Sequence, residues 1–234
     1  MSILFASGFD NTGGAGIIRD SLVSDFLNTH SYYLATCFAI QNSSQGYGNF
    51  KVSPAVIKQS LKSIFAESEI LFCKIGMVGA KSTSNILAKA LNGVKIVMDT
   101  PLKTSSGFIL QTKSDILPLL KNSFLITPNK EEFDQLGGLD FFLSLKTNFL
   151  IKSFKKGEDL LYKFENNKFT TRSFNLSPLK ITARGTGCAL ASAITCFLHA
   201  GFDLENSIEK AKALIHKGIK DSKRRNNLCN FLSF

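Results

Sequence analysis

Residues 184–188 read RGTGC, a bare turn that runs from an arginine to a thiol. A glycine turn feeding a helix leaves backbone N–H groups unpaired and pointing outward, which suits an anion. Gly185, Thr186 and Gly187 could therefore hold the charge that develops on a transferred phosphoryl group. Cys188 at that mouth admits several readings: base, nucleophile, substrate contact, or a small apolar residue opening a core helix. The helix N-terminus would lower its thiol pKa and favour thiolate. Other polar clusters end apolar runs. GFDNTGGAGIIRD (8–20) crowds Gly13, Gly14 and Gly16 beside Asp10, at the spacing of neither a dinucleotide fingerprint nor a P-loop. Gln41, in AIQN, has the donor and acceptor needed to read a heteroaromatic ring edge, and fits a strand-end loop equally well. Asp99, in IVMDT, could hold Mg2+ or a water around phosphates. In TPNKEEF, Asn129 and Glu132 share a face at a helix start, where Glu132 also fits as a capping acid.

These clusters must be delivered by the elements around them. Short apolar runs alternate with amphipathic stretches, which predicts an α/β protein on a largely parallel sheet. Strands are expected at 2–7, 32–39, 70–75, 94–98, 123–127, 148–152, 160–165 and 168–174. The last two flank Asn166-Asn167, and asparagine tolerates the positive φ of a tight hairpin. Helices are expected at 14–28, 54–66, 80–92, 129–137, 187–200 and 204–220. Ser53-Pro54 opens the second of these, Gly201 closes the fifth and Asp203 caps the sixth. Asp10 and Asp99 then sit at the C-terminal edges of strands, where α/β sheets gather ligands. No repeat or linker divides the chain, so a single domain over 1–234 is expected.

Bulk properties limit the function classes. A chain of 234 residues, 44% hydrophobic and 20% charged, can bury a substantial core. Lys74 interrupts the best apolar run, ILFCKIGMVGA, and the N-terminal residues do not form a signal peptide. A cytoplasmic protein without a membrane partner is expected. Cysteines at 37, 73, 188, 196 and 229 show neither a disulfide framework nor a zinc-ligand spacing. The net charge of +10 is spread along the chain, dense only in KGIKDSKRR (217–225). It suits an enzyme whose ligands carry phosphates better than a nucleic-acid-binding module.

Taken in order, G-x-D-x-x-G-G-A-G, A-x-Q-N, K-I-G-M, D-T, T-P-N-x-x-E and G-T-G-C resemble the hydroxymethylpyrimidine/phosphomethylpyrimidine kinases of thiamine biosynthesis. That family is ribokinase-like, so the resemblance implies a central, mostly parallel sheet flanked by helices on both faces. It further implies ATP- and Mg2+-dependent phosphorylation of a pyrimidine alcohol and then of its monophosphate, by a protein expected to be a homodimer. On the matching positions, Gly8 and Ala15 would line the pyrimidine pocket beside Asp10, Gln41 would read the ring and Met77 would pack on its face. Asn129, Lys152 and Lys212 would meet the nucleotide, and Asp99 and Glu132 the metal. Gly185 to Cys188 would form the anion hole, with Cys188 as the catalytic base. Some pyridoxal kinases resemble the family too and offer the alternative, as does a relative that binds a ligand without catalysis.

The chain also departs from the family pattern. Phe9 puts a ring beside the pocket. Ser153-Phe154-Lys155 replaces the glycines and histidine usual after the strand-end lysine. In the flap-like PLKTSSG (101–107), Ser105 stands where lysine is common. The stretch from Leu136 to Asn148 looks shortened, and Arg184 replaces a histidine.

Overall fold

Successive side chains of a strand point to opposite faces of a sheet, and here the apolar residues fill both. The computed structural model describes residues 1–42, 44–104, 107–177, 179, 183–224 and 230–233. In β1 (Ser2–Asp10) Leu4 and Ala6 enter one core, and Ile3 and Phe5 enter the other. β4 (Ile70–Ile75) and β5 (Lys95–Asp99) repeat the pattern, with Cys73, Ile75, Ile96 and Met98 on the first side and Val97 on the second. The first core is closed by α2 (Pro54–Glu67), α3 (Lys81–Ala90), α4 (Lys113–Leu120), α5 (Lys130–Leu136) and α6 (Gly138–Ser144). The second is closed by α1 (Gly16–Phe26), α7 (Thr186–His199) and α8 (Leu204–Lys220). Each fully buried aliphatic or aromatic side chain contributes roughly 1.5–3 kcal/mol to this arrangement.

The remaining long strands are β2 (Ser31–Gln41), β3 (Gly46–Lys51), β6 (Leu125–Thr127), β7 (Asn148–Lys155), β8 (Glu158–Glu165) and β9 (Lys168–Asn175). They join in a nine-stranded sheet of order β3-β2-β1-β4-β5-β6-β7-β8-β9. From β2 to β7 every neighbour is parallel, while β3, β8 and β9 pair antiparallel at the margins. Strand order reverses on either side of β1, which makes that edge a ligand crevice. Short backbone pairings β10 (Ala183–Arg184), β11 (Lys223–Arg224) and β12 (Asn230–Phe231) form a separate small sheet.

The expected strands and helices are all present, with ends moved by a few residues. Asn166 and Asn167 take φ of 51° and 59° and join β8 to β9 as a two-residue turn. Besides the short pairings β10 to β12, three elements lie outside the sequence expectations. β3, GYGNFK, is too rich in glycine to read as a strand and pairs only along one edge. α4 holds Pro118, which removes one helical hydrogen bond, yet a capping box at Thr112 and Asp115 starts it and Ile116, Leu119 and Leu120 bury it. α6 follows α5 directly because Gly137 and Gly138 both take positive φ.

Candidate active site

The C-terminal ends of the parallel strands and the start of α7 surround a cavity of about 720 Å3. Of the site residues read from the sequence, it is lined by Ala15, Gln41, Asp99, Asn129, Glu132, Lys152, Lys212 and Gly185 to Cys188. α7 is buried nearly all round from Ala189 to Cys196, so its N-terminus is held rigidly. Gly185 caps it in the left-handed conformation, φ 78°, with no side chain bonding the first-turn amides and no acid among them. Those amides are therefore available to an anion.

Backbone proximity explains the glycines on both sides of the crevice. A Cβ on Gly185 would lie 2.0 Å from the Gly14 carbonyl oxygen, and one on Gly16 would lie 2.1 Å from that of Gly8. The turn after β1 and the turn before α7 thus touch main chain to main chain. A Cβ on Gly187 would come 3.2 Å from Lys152 Nζ.

Lys152 stands between two carboxylates. Its Nζ donates to Asp99 Oδ1 at 2.7 Å, and Glu132 is close enough to act on its charge. Burial opposes that charge, but Asp99 and then Glu132 outweigh it and raise the pKa. Asp99 is held below the usual carboxylate range, where Lys152 and Lys74 overcome its burial. Burial pushes Glu132 up, against Lys152 and with Asp99. Glu132 Oε2 accepts from Asn129 N–H at 2.9 Å and Thr100 Oγ1 at 3.2 Å, while Asn129 Oδ1 accepts from Glu132 N–H at 2.8 Å. Asn129 and Glu132 are thus a capping box for α5 as well as cavity wall. Glu132 Oε1 has no hydrogen bond among the described residues.

These oxygens suit Mg2+, which takes one or two carboxylates and shares the rest of its shell with waters and phosphates. No group of three or more His, Cys, Asp or Glu among the described residues could hold a metal by itself.

Other residues read from the sequence stand differently in the structure. Cys188 is not poised as a thiolate: burial, opposed by Lys74 and reinforced by Asp99 and Asp20, pushes its thiol up to about 12. Desolvation and the two carboxylates outweigh Lys74 and a hydrogen bond from the Gly16 backbone. Gly8, Asp10 and Met77 do not reach the cavity wall. Gly8 is covered by Cys37 and Met77, the Asp10 carboxylate closes a turn on Thr12 N–H and Oγ1, and Met77 packs with Cys37, Ala39 and Leu110. Phe9 does not line the cavity either; its ring meets that of Phe38 at 5.6 Å in a tilted contact. Ser105 lies outside the described residues.

Gln41 is 7% exposed, and its Oε1 has no partner among the described residues. Lys212 Nζ donates to Asp159 Oδ2 at 2.5 Å and to the Phe174 carbonyl at 3.0 Å. Behind the site, Lys74 Nζ is fully buried and donates to Asp20 Oδ1 at 2.8 Å and Ser7 Oγ at 3.0 Å. Ser192 Oγ bonds the same Asp20 oxygen at 2.7 Å and the Cys188 carbonyl at 2.8 Å, tying the pair to the first turn of α7. The sequence reading missed the pair, although a lysine inside ILFCKI could be buried only with a partner.

A family model described as phosphomethylpyrimidine kinase matches residues 10–230. A hydroxymethylpyrimidine/phosphomethylpyrimidine kinase of Aquifex aeolicus is 31% identical over 96% of this chain and 96% of its own length. A bifunctional thiamine biosynthesis protein of Methanocaldococcus jannaschii is 29% identical over 96% of this chain, which spans only 54% of that protein. Among solved structures, the pyridoxal kinase of Staphylococcus aureus in complex with pyridoxal superposes with a TM-score of 0.85 at 20% identity, over 99% of this chain and 92% of its own. Phosphomethylpyrimidine kinase from Clostridium difficile does so with a TM-score of 0.75 at 22% identity, over 93% and 100%. At such identities the likeness establishes the fold, which is the ribokinase-like one. No helix among the described residues is long and apolar enough to cross a membrane.

Proposed function

The chain belongs to the phosphomethylpyrimidine kinase family, and on that footing we propose that it transfers the γ-phosphoryl group of ATP to the hydroxymethyl group of 4-amino-5-hydroxymethyl-2-methylpyrimidine, and then to the phosphate ester so formed. One observation carries the reading. The uncapped N-terminus of α7 opens into the same cavity as Asp99, Glu132, Lys152 and Lys212. The amides of Gly187 and Cys188 hold the moving phosphoryl oxygens, and Lys152 and Lys212 neutralise phosphate charge. Mg2+, held by Glu132 with Asp99, adds neutralisation of the same oxygens when bound. Gln41 offers its unpartnered Oε1 to the ring. A loose phosphoryl-transfer transition state asks little of a base. The Cys188 thiol keeps its proton in the free protein, so to serve as base it must first release that proton to solvent when the substrates bind; the thiolate then takes the alcohol proton late in the transfer and returns to thiol.

The test is a panel of the pyrimidine alcohol, its monophosphate and pyridoxal with Mg-ATP, reading ADP and phosphorylated products. Both pyrimidines are expected to turn over and pyridoxal to lag far behind. Phosphorylation of pyridoxal alone would overturn the substrate, and no ADP from any of the three would overturn the kinase reading. Turnover unchanged in Cys188→Ala would remove the base role and leave the amides.

A further inference from the structure

The residues after Lys152 lack the family's glycines, yet the strand still delivers that lysine to the cavity. β7 and β8 pair at Ile151 with Leu160 and next at Lys155 with Glu158. Lys152, Ser153 and Phe154 therefore bulge opposite Asp159 alone. Such a bulge re-aims side chains and breaks the ladder. Ser153 adopts φ 51° within it, a left-handed conformation that a non-glycine residue keeps only when its surroundings enforce it. On one side Lys152 N–H donates to the Pro128 carbonyl at 2.8 Å. On the other, Ser153 N–H donates to Asp159 Oδ1 at 2.8 Å. The second Asp159 oxygen accepts from Lys212 Nζ at 2.5 Å. The two side chains are 13% and 9% exposed, so solvent screens this pair little.

We propose that Asp159 is the positioning residue for two cations of the phosphate site, Lys152 and Lys212. Its Oδ1 pins the bulge that aims Lys152, and its Oδ2 holds the Lys212 ammonium. This rests on the kinase reading above. One carboxylate spans β8, the bulge of β7 and helix α8. A charge-assisted hydrogen bond from a mostly buried ammonium is a strong one, and losing it leaves the lysine held by the Phe174 carbonyl and no longer fixed by a charge.

The substitutions Asp159→Asn, Asp159→Ala and Lys212→Met, with the two doubles, separate the roles. In Asp159→Asn the amide oxygen still accepts from Ser153 N–H, but its NH2 group confronts Lys212. ADP affinity measured by calorimetry, and the affinity for ATP read as KM, should each fall about tenfold, with kcat changed far less. In the Lys212→Met background the same change should cost less than about twofold, because its effect runs through the missing ammonium. Asp159→Ala, which also frees the bulge, should still cost about threefold or more there. An Asp159→Asn effect undiminished by Lys212→Met would overturn the proposal. So would a loss of kcat and melting temperature with KM unchanged, the signature of damaged fold alone. A wild-type chain that bound no ADP would instead overturn the kinase reading.

Discussion

Replacing Lys74 by methionine keeps the volume of the buried stem and removes one charge from a pair that solvent does not reach. Both side chains are 0% exposed and their charged atoms lie 2.8 Å apart. Asp20 would keep the Ser192 hydroxyl on Oδ1, while its Oδ2 has no partner among the described residues even now. Breaking a buried ion pair by removing one member costs about 3–5 kcal/mol, most of it from the stranded charge. The deficit should be near that full figure at about pH 8. Adding Asp20→Asn removes the stranded charge and should recover most of the loss at pH 8. Urea unfolding followed by circular dichroism measures all of these. A deficit under about 1 kcal/mol at pH 8, or a double variant no more stable than Lys74→Met, would refute the reasoning.

Two further outcomes follow from the site. Gly185→Ala meets both a left-handed φ and a carbonyl oxygen 2.0 Å from the new methyl group, whereas Gly187→Ala meets only the movable end of Lys152 at 3.2 Å. The first should cost about 3 kcal/mol or more and the second less than about 1 kcal/mol in thermal unfolding, and the opposite ranking would refute the close-packed turn. Burial raises the thiols of Cys37 to about 11 and of Cys188 and Cys196 to about 12, from 9.0. Above pH 9 the unfolded chain sheds protons that the native state keeps, so stability present below that pH is lost as it rises. Each thiol should subtract about 1.4 kcal/mol at one pH unit above its unfolded value, and Cys188→Ala should lessen the fall in reduced urea titrations.

The framework was legible because each parallel strand carries apolar residues on both faces and each polar cluster follows such a run. RGTGC and TPNKEEF announced themselves through glycine and capping chemistry that is local in sequence. What escaped depends on partners far along the chain. Nothing near Lys74 reveals that Asp20 awaits it on α1, and nothing in GEDLL marks Asp159 as the neighbour of Ser153 and Lys212. The protonation of the Cys188 thiol escaped for the same reason: its helix terminus is written beside it, but the burial that raises it most, and then Asp99 and Asp20 from β5 and α1, are set by the fold. Gly8 and Met77 are packed against Gly16 and Cys37, a matter of three-dimensional crowding.

The contact of Gly14 with Gly185 also bears on how such a crevice can be rebuilt. Two loops that meet through bare main chain share a single outline, so neither can be exchanged without the other. A grafted loop after β1 that shifted its carbonyl toward α7 would collide with position 185 whatever residue stood there. Transplanting a new alcohol specificity onto this scaffold therefore means moving both turns as one inherited unit, or changing side chains beyond them, at Gln41 and Leu110, where the wall is made of atoms that can be replaced singly.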